Sequence, residues 1–214
     1  MTNYLASLSV AVVLCAGACS AAEPPAAPAK PAGAAKPAAP VAGAASALPH
    51  FVQAAAGSTL TFSFVQAGAQ SHGSFKKFTT ELNYDEKNLA ASNLKVTVQI
   101  ASLATQDKDR DKTLAGAELF DTQKFPTAQY VAASLTKGAN GGLEAVGKLT
   151  LRGVTKDLRV PLDIRATAAG LELSGETALK RLDYGVGQGE WKSTEWVGDD
   201  VKLQYKVALV KAAN

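Results

Sequence analysis

The residues able to do chemistry in this chain are few and poorly placed for breaking bonds. There are two histidines, His50 and His72, and two cysteines, Cys15 and Cys19. Both cysteines lie near the N-terminus, so the body of the chain has no thiol nucleophile, thiolate metal site or disulfide. His72 stands alone in that body, and one imidazole cannot build a zinc site. Ser71 and Ser74 flank it, but neither sits in a nucleophile elbow; a turn histidine bonded to backbone is the plainer reading. Gly185-Val186-Gly187-Gln188-Gly189 has the glycines of a phosphate loop, but no helix of the right pattern follows, so it reads as a loop at one end of the fold. What remains is a scatter of Arg110, Asp111, Asp121, Arg181 and Asp183. A guanidinium fork donates paired hydrogen bonds to a planar acceptor. Two uses follow: the set holds the polar head of a ligand, or it ties a long connection to the wall of the fold through Arg–Asp pairs. No catalytic residue, metal or cofactor is indicated. A net charge of +3, from 22 basic and 19 acidic residues of interspersed sign, lacks the basic cluster that nucleic acid requires.

The elements that must carry these residues are strands. From Leu60 to Val210 the chain alternates apolar and polar residues with period two, the signature of half-buried antiparallel strands. Leu60, Phe62 and Phe64 share one face of the run Ser58–Val65, and Phe75–Tyr84 continues the pattern. Val96, Val98 and Ile100 share a face of Leu94–Ile100, and Leu158, Val160 and Leu162 a face of Asp157–Ala168. Leu203, Tyr205 and Val207 do so in the last strand. Ala128–Thr136, Leu143–Arg152 and Leu171–Leu179 add three more, with turns at 138–142 and 153–156. Pro161 has no ladder donor and marks a bulge or a local edge. Between Ala104 and Phe125 the pattern breaks into a polar, then short-helical connection of one or two turns, stopped at Pro126. About eight strands of hairpin-like spacing make an antiparallel barrel or a sandwich. The inward residues either fill a core or line a pocket for something apolar. Trp191 and Trp196 lie on the last long connection, where they cap the barrel end or meet a membrane or partner.

The first 50 residues are different material. Residues 1–22 carry no charged side chain, and Leu5–Ala18 has the length of a secretory apolar region, short of the ~20 residues that span a bilayer. Ala16-Gly17-Ala18 before Cys19 fits a signal-peptidase site and also resembles a weak lipobox, which makes Cys19 a candidate for lipidation; cleavage after Ala18 or Ala22 to release a soluble protein is the alternative. Residues 23–49 hold seven of the nine prolines, set in alanine, and read as an extended tether.

Five motifs then carry a resemblance. Ser71-His72-Gly73-Ser74-Phe75-Lys76-Lys77-Phe78, Asp109-Arg110-Asp111, Glu118-Leu119-Phe120-Asp121 with Phe125-Pro126, Gly147–Lys156 and Arg181-Leu182-Asp183-Tyr184-Gly185 resemble, in that order, the bacterial YceI-like family of secreted isoprenoid-binding proteins. The run Leu149–Lys156 is the most specific of them, and the resemblance spans about Ser58–Val210. It implies an extended, lipocalin-like, eight-stranded antiparallel barrel with a helix, enclosing a long apolar pocket for polyisoprenoids, including isoprenoid quinones. Some members are encoded or fused with cytochrome b561-type membrane proteins, and Gly187-Gln188-Gly189-Glu190-Trp191 is similar to that subgroup. The chain departs from the family at Gln66-Ala67-Gly68, where a His-Leu-Gly-like triplet is common.

The expected organisation is therefore an export signal over residues 1–22, a tether over 23–49 and an all-β, eight-stranded barrel over 50–214, with a short helix on a long connection. The expected function is non-enzymatic binding, with transport or sequestration, of an isoprenoid quinone or polyprenyl phosphate in the periplasm. The twelve inward residues named above line the pocket. Arg110, Asp121, Arg181 and Asp183 are the head-group candidates, and membrane contact is through a Cys19 anchor alone. The alternative is an interaction module beside a cytochrome b561-type protein, with lipid incidental. A homodimer is a candidate assembly.

Overall fold

The computed structural model describes residues 48–138 and 141–212. The expected export signal, Cys19 and the expected tether up to Ala47 lie outside the described residues, as do two residues of the turn at 138–142. Eleven strands form one antiparallel sheet. They are β1 (His50–Gln53), β2 (Thr59–Gln66), β3 (Ala69–Phe75), β4 (Phe78–Asn83), β5 (Asn93–Gln99), β6 (Leu103–Ala104), β7 (Thr127–Lys137), β8 (Leu143–Leu151), β9 (Val154–Thr167), β10 (Gly170–Lys180) and β11 (Asp200–Lys211). The one α-helix among the described residues is α1 (Lys108–Ala115).

Eight of these strands close into a barrel in the order β1-β4-β5-β7-β8-β9-β10-β11, because β1 pairs with β4 on one side and with Leu209–Lys211 of β11 on the other. The remaining length of that β11 edge is taken by β2, where Lys202–Lys206 pairs with Thr59–Ser63. β3 and β6 extend the wall from β2. Alternation makes this closure useful: each strand turns its apolar residues inward and its charges outward. The outer ion pairs, such as Lys148 with Asp157 at 2.6 Å and Lys206 with Glu172 at 3.0 Å, link neighbouring strands at the surface.

The two barrel ends are built differently. One is closed by the hairpins and the connection 84–92. There Leu82, Leu135, Leu209 and Ala145 are at most 1% exposed. Ser92, fully buried, holds the connection by accepting from the Asp85 amide and donating to the Asn88 carbonyl. The other end is covered by two long connections, 105–126 and 181–199.

Several local expectations shift. The stretch Phe75–Tyr84 is not one strand: Lys76 and Lys77 form a corner, held by the carbonyl and hydroxyl of Ser102, and β4 starts after it. His72 is not in a turn but in β3, opposite Ser63 and exposed. The turn read at 153–156 is tighter, Arg152-Gly153 alone, with positive φ at both residues (49° and 76°) as a two-residue hairpin turn demands. Gly153 also lies where a Cβ would stand 2.7 Å from the Phe125 ring. Helix α1 forms on the polar stretch, where Asp107 caps the amides of Asp109 and Arg110, and it ends at Gly116, well before Pro126.

Candidate functional site

Inside the barrel lies a cavity of about 200 Å³ lined by thirty residues. All twelve inward residues read from the alternation line it: Leu60, Phe62 and Phe64 from β2; Val96 and Val98 from β5 with Ile100 just beyond; Leu158, Val160 and Leu162 from β9; Leu203, Tyr205 and Val207 from β11. Only five lining side chains carry a polar atom: Thr80, Tyr130, Thr177, Arg181 and Tyr205. Most of these are already engaged. The Tyr130 hydroxyl donates to the carbonyls of Ala145 (2.9 Å) and Leu158 (3.1 Å), and burial raises its pKa. The Tyr205 hydroxyl donates to the Pro161 carbonyl; burial, then Tyr130 and Glu176, push its pKa upward. Thr80, 1% exposed, has a hydroxyl without a hydrogen-bond partner.

Alternation alone could not find the residues that close the lid end. Leu114, Leu119 and Phe120 come from the first long connection, and Val186 and Val197 from the second. They meet an aromatic cluster in which Phe62 stacks near Phe64 (6.1 Å) and Phe75 (5.1 Å), with Phe120 edge-on to Phe75 (6.4 Å). The two connections also hold each other. The Glu118 carbonyl accepts from the amides of Gly187 (3.0 Å) and Gln188 (2.7 Å), and Arg152 donates to the Ala117 carbonyl (2.6 Å) from the β8–β9 turn. The departing triplet Gln66-Ala67-Gly68 forms the β2–β3 turn and anchors the second connection, through Ala67 N–H to the Trp196 carbonyl (2.7 Å).

Arg181 is the keystone of this lid. It is 4% exposed and donates to five carbonyls: Gly198, Val186, Trp191, Ser193 and Val197, at 2.7–3.1 Å. Every guanidinium N–H is thereby spent. Burial lowers its pKa and Asp199 opposes the fall. The other polar candidates are likewise bound to protein. Arg110 donates to the Thr105 hydroxyl (2.9 Å), the Thr105 carbonyl (3.0 Å) and the Ser71 hydroxyl (3.4 Å). Asp111 accepts from the Thr105 amide (2.8 Å) and hydroxyl (2.6 Å), so these residues clasp α1 to the end of β6. Asp121 sits at a turn with φ 49°, its carbonyl accepting from Lys124 and Phe125. Asp183 pairs with Lys156 at 3.1 Å, half exposed. Among the described residues no hydrogen bond or ion pair joins Arg110, Asp121, Arg181 and Asp183 to one another, and only Arg181 lines the cavity. The two tryptophans divide: Trp191 packs against the lid cluster, while Trp196 is 68% exposed.

Among the described residues no group of His, Cys, Asp and Glu could hold a metal ion, and no helix is long and apolar enough to cross a membrane. The arrangement can desolvate an apolar chain, and it presents few free polar atoms to anything inside.

Comparison with known proteins fits this geometry. Residues 51–209 match the model of the YceI-like domain. A UPF0312 protein of Photorhabdus laumondii is 33% identical over 121 residues, 53% of this chain and 62% of that protein. Protein YceI of Escherichia coli is 34% identical over 117 residues, 51% of this chain and 61% of that protein. The chain thus spans less than two thirds of these curated relatives. Among solved structures, BcnA of Burkholderia cenocepacia superposes with a TM-score of 0.67 at 28% identity, over 70% of this chain and 94% of that one. A polyisoprenoid-binding domain from Saccharophagus degradans shares the fold, with a TM-score of 0.59 at 16% identity, over 77% of this chain and 99% of that one.

Proposed function

The chain belongs to the YceI-like family, and from that premise we propose that it binds a long-chain isoprenoid lipid, an isoprenoid quinone or a polyprenyl phosphate, inside its barrel. It carries or sequesters that lipid in the periplasm, behind a cleaved leader. The observation that carries the proposal is the cavity itself: thirty lining residues, twenty-five of them without a polar side-chain atom, and the buried arginine among them already saturated. Such a wall gives a ligand little but desolvation. Each methylene removed from water contributes about 0.8 kcal/mol, so one five-carbon prenyl unit contributes a gross ~3 to 4 kcal/mol before ordering costs. A repeating prenyl chain gains with every unit the cavity accepts, and chain length is read by depth. The head group, finding little inside beyond the unpartnered Thr80 hydroxyl, stays near the surface. The name of the Saccharophagus domain points to the same ligand class. Acylation of Cys19 would add a membrane anchor.

The test is native mass spectrometry of the protein purified without detergent, followed by organic extraction. A stoichiometric prenyl lipid is the expected result, its mass giving chain length and head group. A folded, empty protein that also refuses added ubiquinone and polyprenyl phosphate would return the reading to the interaction module beside a cytochrome b561-type protein.

A further inference from the structure

The barrel wall has one weak seam. β9 runs for 14 residues and β10 for 11, yet they pair over only five positions, from Gly170 opposite Thr167 to Ser174 opposite Asp163. Their other neighbours do better: β10 pairs with β11 over ten positions and β9 with β8 over nine. The ladder stops where Pro161 comes into register with β10. Proline has no N–H to give, and its carbonyl faces β10, 2.6 Å from where a Cβ on Gly175 would stand. That carbonyl is taken instead by the hydroxyl of Tyr205, reaching from β11 across Gly175, where a Cβ would sit 2.5 Å from the phenol oxygen. From there toward the lid, residues 154–162 of β9 and 175–180 of β10 have no ladder partner in each other. The seam is clasped again at its far end, where Lys156 pairs with Asp183 (3.1 Å) and lies 6.0 Å over the Tyr184 ring.

Between the two clasps, Leu158 and Val160 on one lip and Thr177 and Leu179 on the other line the cavity. Four to five strand residues separate the clasps, a length of about 15 Å. We propose that this seam is the portal through which a prenyl chain passes sideways between solvent and cavity, an inference that rests on the isoprenoid-binding reading. The barrel ends are poorer routes. One is packed solid by Leu82, Leu135 and Leu209, each at most 1% exposed. At the other, five Arg181 bonds, the Arg152–Ala117 bond and the two amides on Glu118 would have to break together. Opening the seam breaks one hydrogen bond, one half-exposed ion pair and the Lys156–Tyr184 contact, each weak where water reaches it. No backbone ladder is lost.

The experiment staples each route in the full chain, with Cys15 and Cys19 replaced by serine. Arg159→Cys with Ala178→Cys places two exposed thiols on opposite lips of the seam; Ala117→Cys with Gln188→Cys places an exposed and a half-buried thiol across the lid. Each pair is bridged by a reducible bifunctional maleimide, and exchange of ubiquinone-8 with phosphatidylcholine vesicles is followed by its quenching of tryptophan fluorescence. The seam staple slows exchange by about tenfold or more and reduction restores it, while the lid staple changes the rate by less than about twofold. Tyr205→Phe, which loses only the clasping hydroxyl, exchanges about fivefold faster, the equivalent of one net hydrogen bond. A seam staple without effect, a lid staple that blocks exchange, or an unchanged Tyr205→Phe rate overturns the portal. A parent protein that takes up no quinone sinks the binding reading itself and the portal with it, and is recognised before any staple is made.

Discussion

The two ends of this barrel use the same residue types for opposite purposes. At the hairpin end the most buried residues, Leu82, Ala132, Leu135, Ala145 and Leu209, pack on one another and none of them lines the cavity. At the lid end the buried cluster faces inward space: Phe62, Phe64, Phe75, Ile100, Leu119 and Val186 all line it. The hairpin end is sealed by ladders and a tight connection, so it needs no charged residue. The lid is irregular chain, whose carbonyls have no ladder, and a single buried guanidinium supplies their donors. Folding stability and ligand capacity are thereby assigned to different ends, which makes them separable by mutation.

The largest effect is expected at the keystone. Arg181→Met leaves five carbonyls of a half-buried loop without their donor, and stability should fall by about 4 kcal/mol after partial rehydration, measured by urea unfolding. A loss below about 1 kcal/mol would mean the lid holds without it. Next comes a matched pair of truncations. Leu82→Ala at the solid end should cost about 3 kcal/mol and leave ligand capacity intact. Leu203→Ala, already facing a cavity and half-buried, should cost about 1 kcal/mol but weaken ligand retention. Equal stability costs with equal binding would erase the distinction between the ends. Thr80→Val removes a buried hydroxyl that has no partner, and should raise stability by about 1 kcal/mol in the empty protein, read by thermal melting.

The smallest effect concerns α1. The backbone amide of Arg110 most of all, with that of Asp109 and the Arg110 charge, lowers the pKa of the exposed Asp107 carboxylate below its ordinary 3.8, against an opposing desolvation. A carboxylate with a depressed folded pKa contributes stability that is complete above the ordinary value and lost as pH falls through the folded one. Fraying of α1 should therefore appear only below about pH 3.8, and Asp107→Asn should make amide exchange in the first turn insensitive to pH there, once the intrinsic rate is divided out. Pronounced pH dependence in the Asn variant would assign the effect to another group.

The strands and the pocket wall were legible because alternation is a direct record of which face is dry. Leu60, Val98 and Leu203 declare themselves by their neighbours. Pro161 announced the local edge for the same reason, since a residue without N–H cannot extend a ladder. The lid was not legible. Leu119, Val186 and Val197 carry no period, and their burial depends on contacts between segments some seventy residues apart, such as Glu118 with Gly187. The arginine–aspartate set was legible as important but not as to purpose: both readings predict the same residue types, and only the hydrogen-bond partners show how each is held. Arg181 sits beside the cavity with all its donors occupied, a state no sequence pattern distinguishes from a free head-group clamp.

In the proposed function the barrel interior, not its surface, takes the ligand. Val98 lines the cavity near the lid end of β5, opposite Phe78 of β4 and Ala128 of β7. The direct test is a titration of ubiquinone-8 against the parent and Val98→Arg, each shown to be folded by its near-ultraviolet dichroism. Saturable one-to-one binding is expected for the parent and none for the variant, whose guanidinium would occupy the dry interior. Undiminished binding by a folded Val98→Arg protein would contradict it.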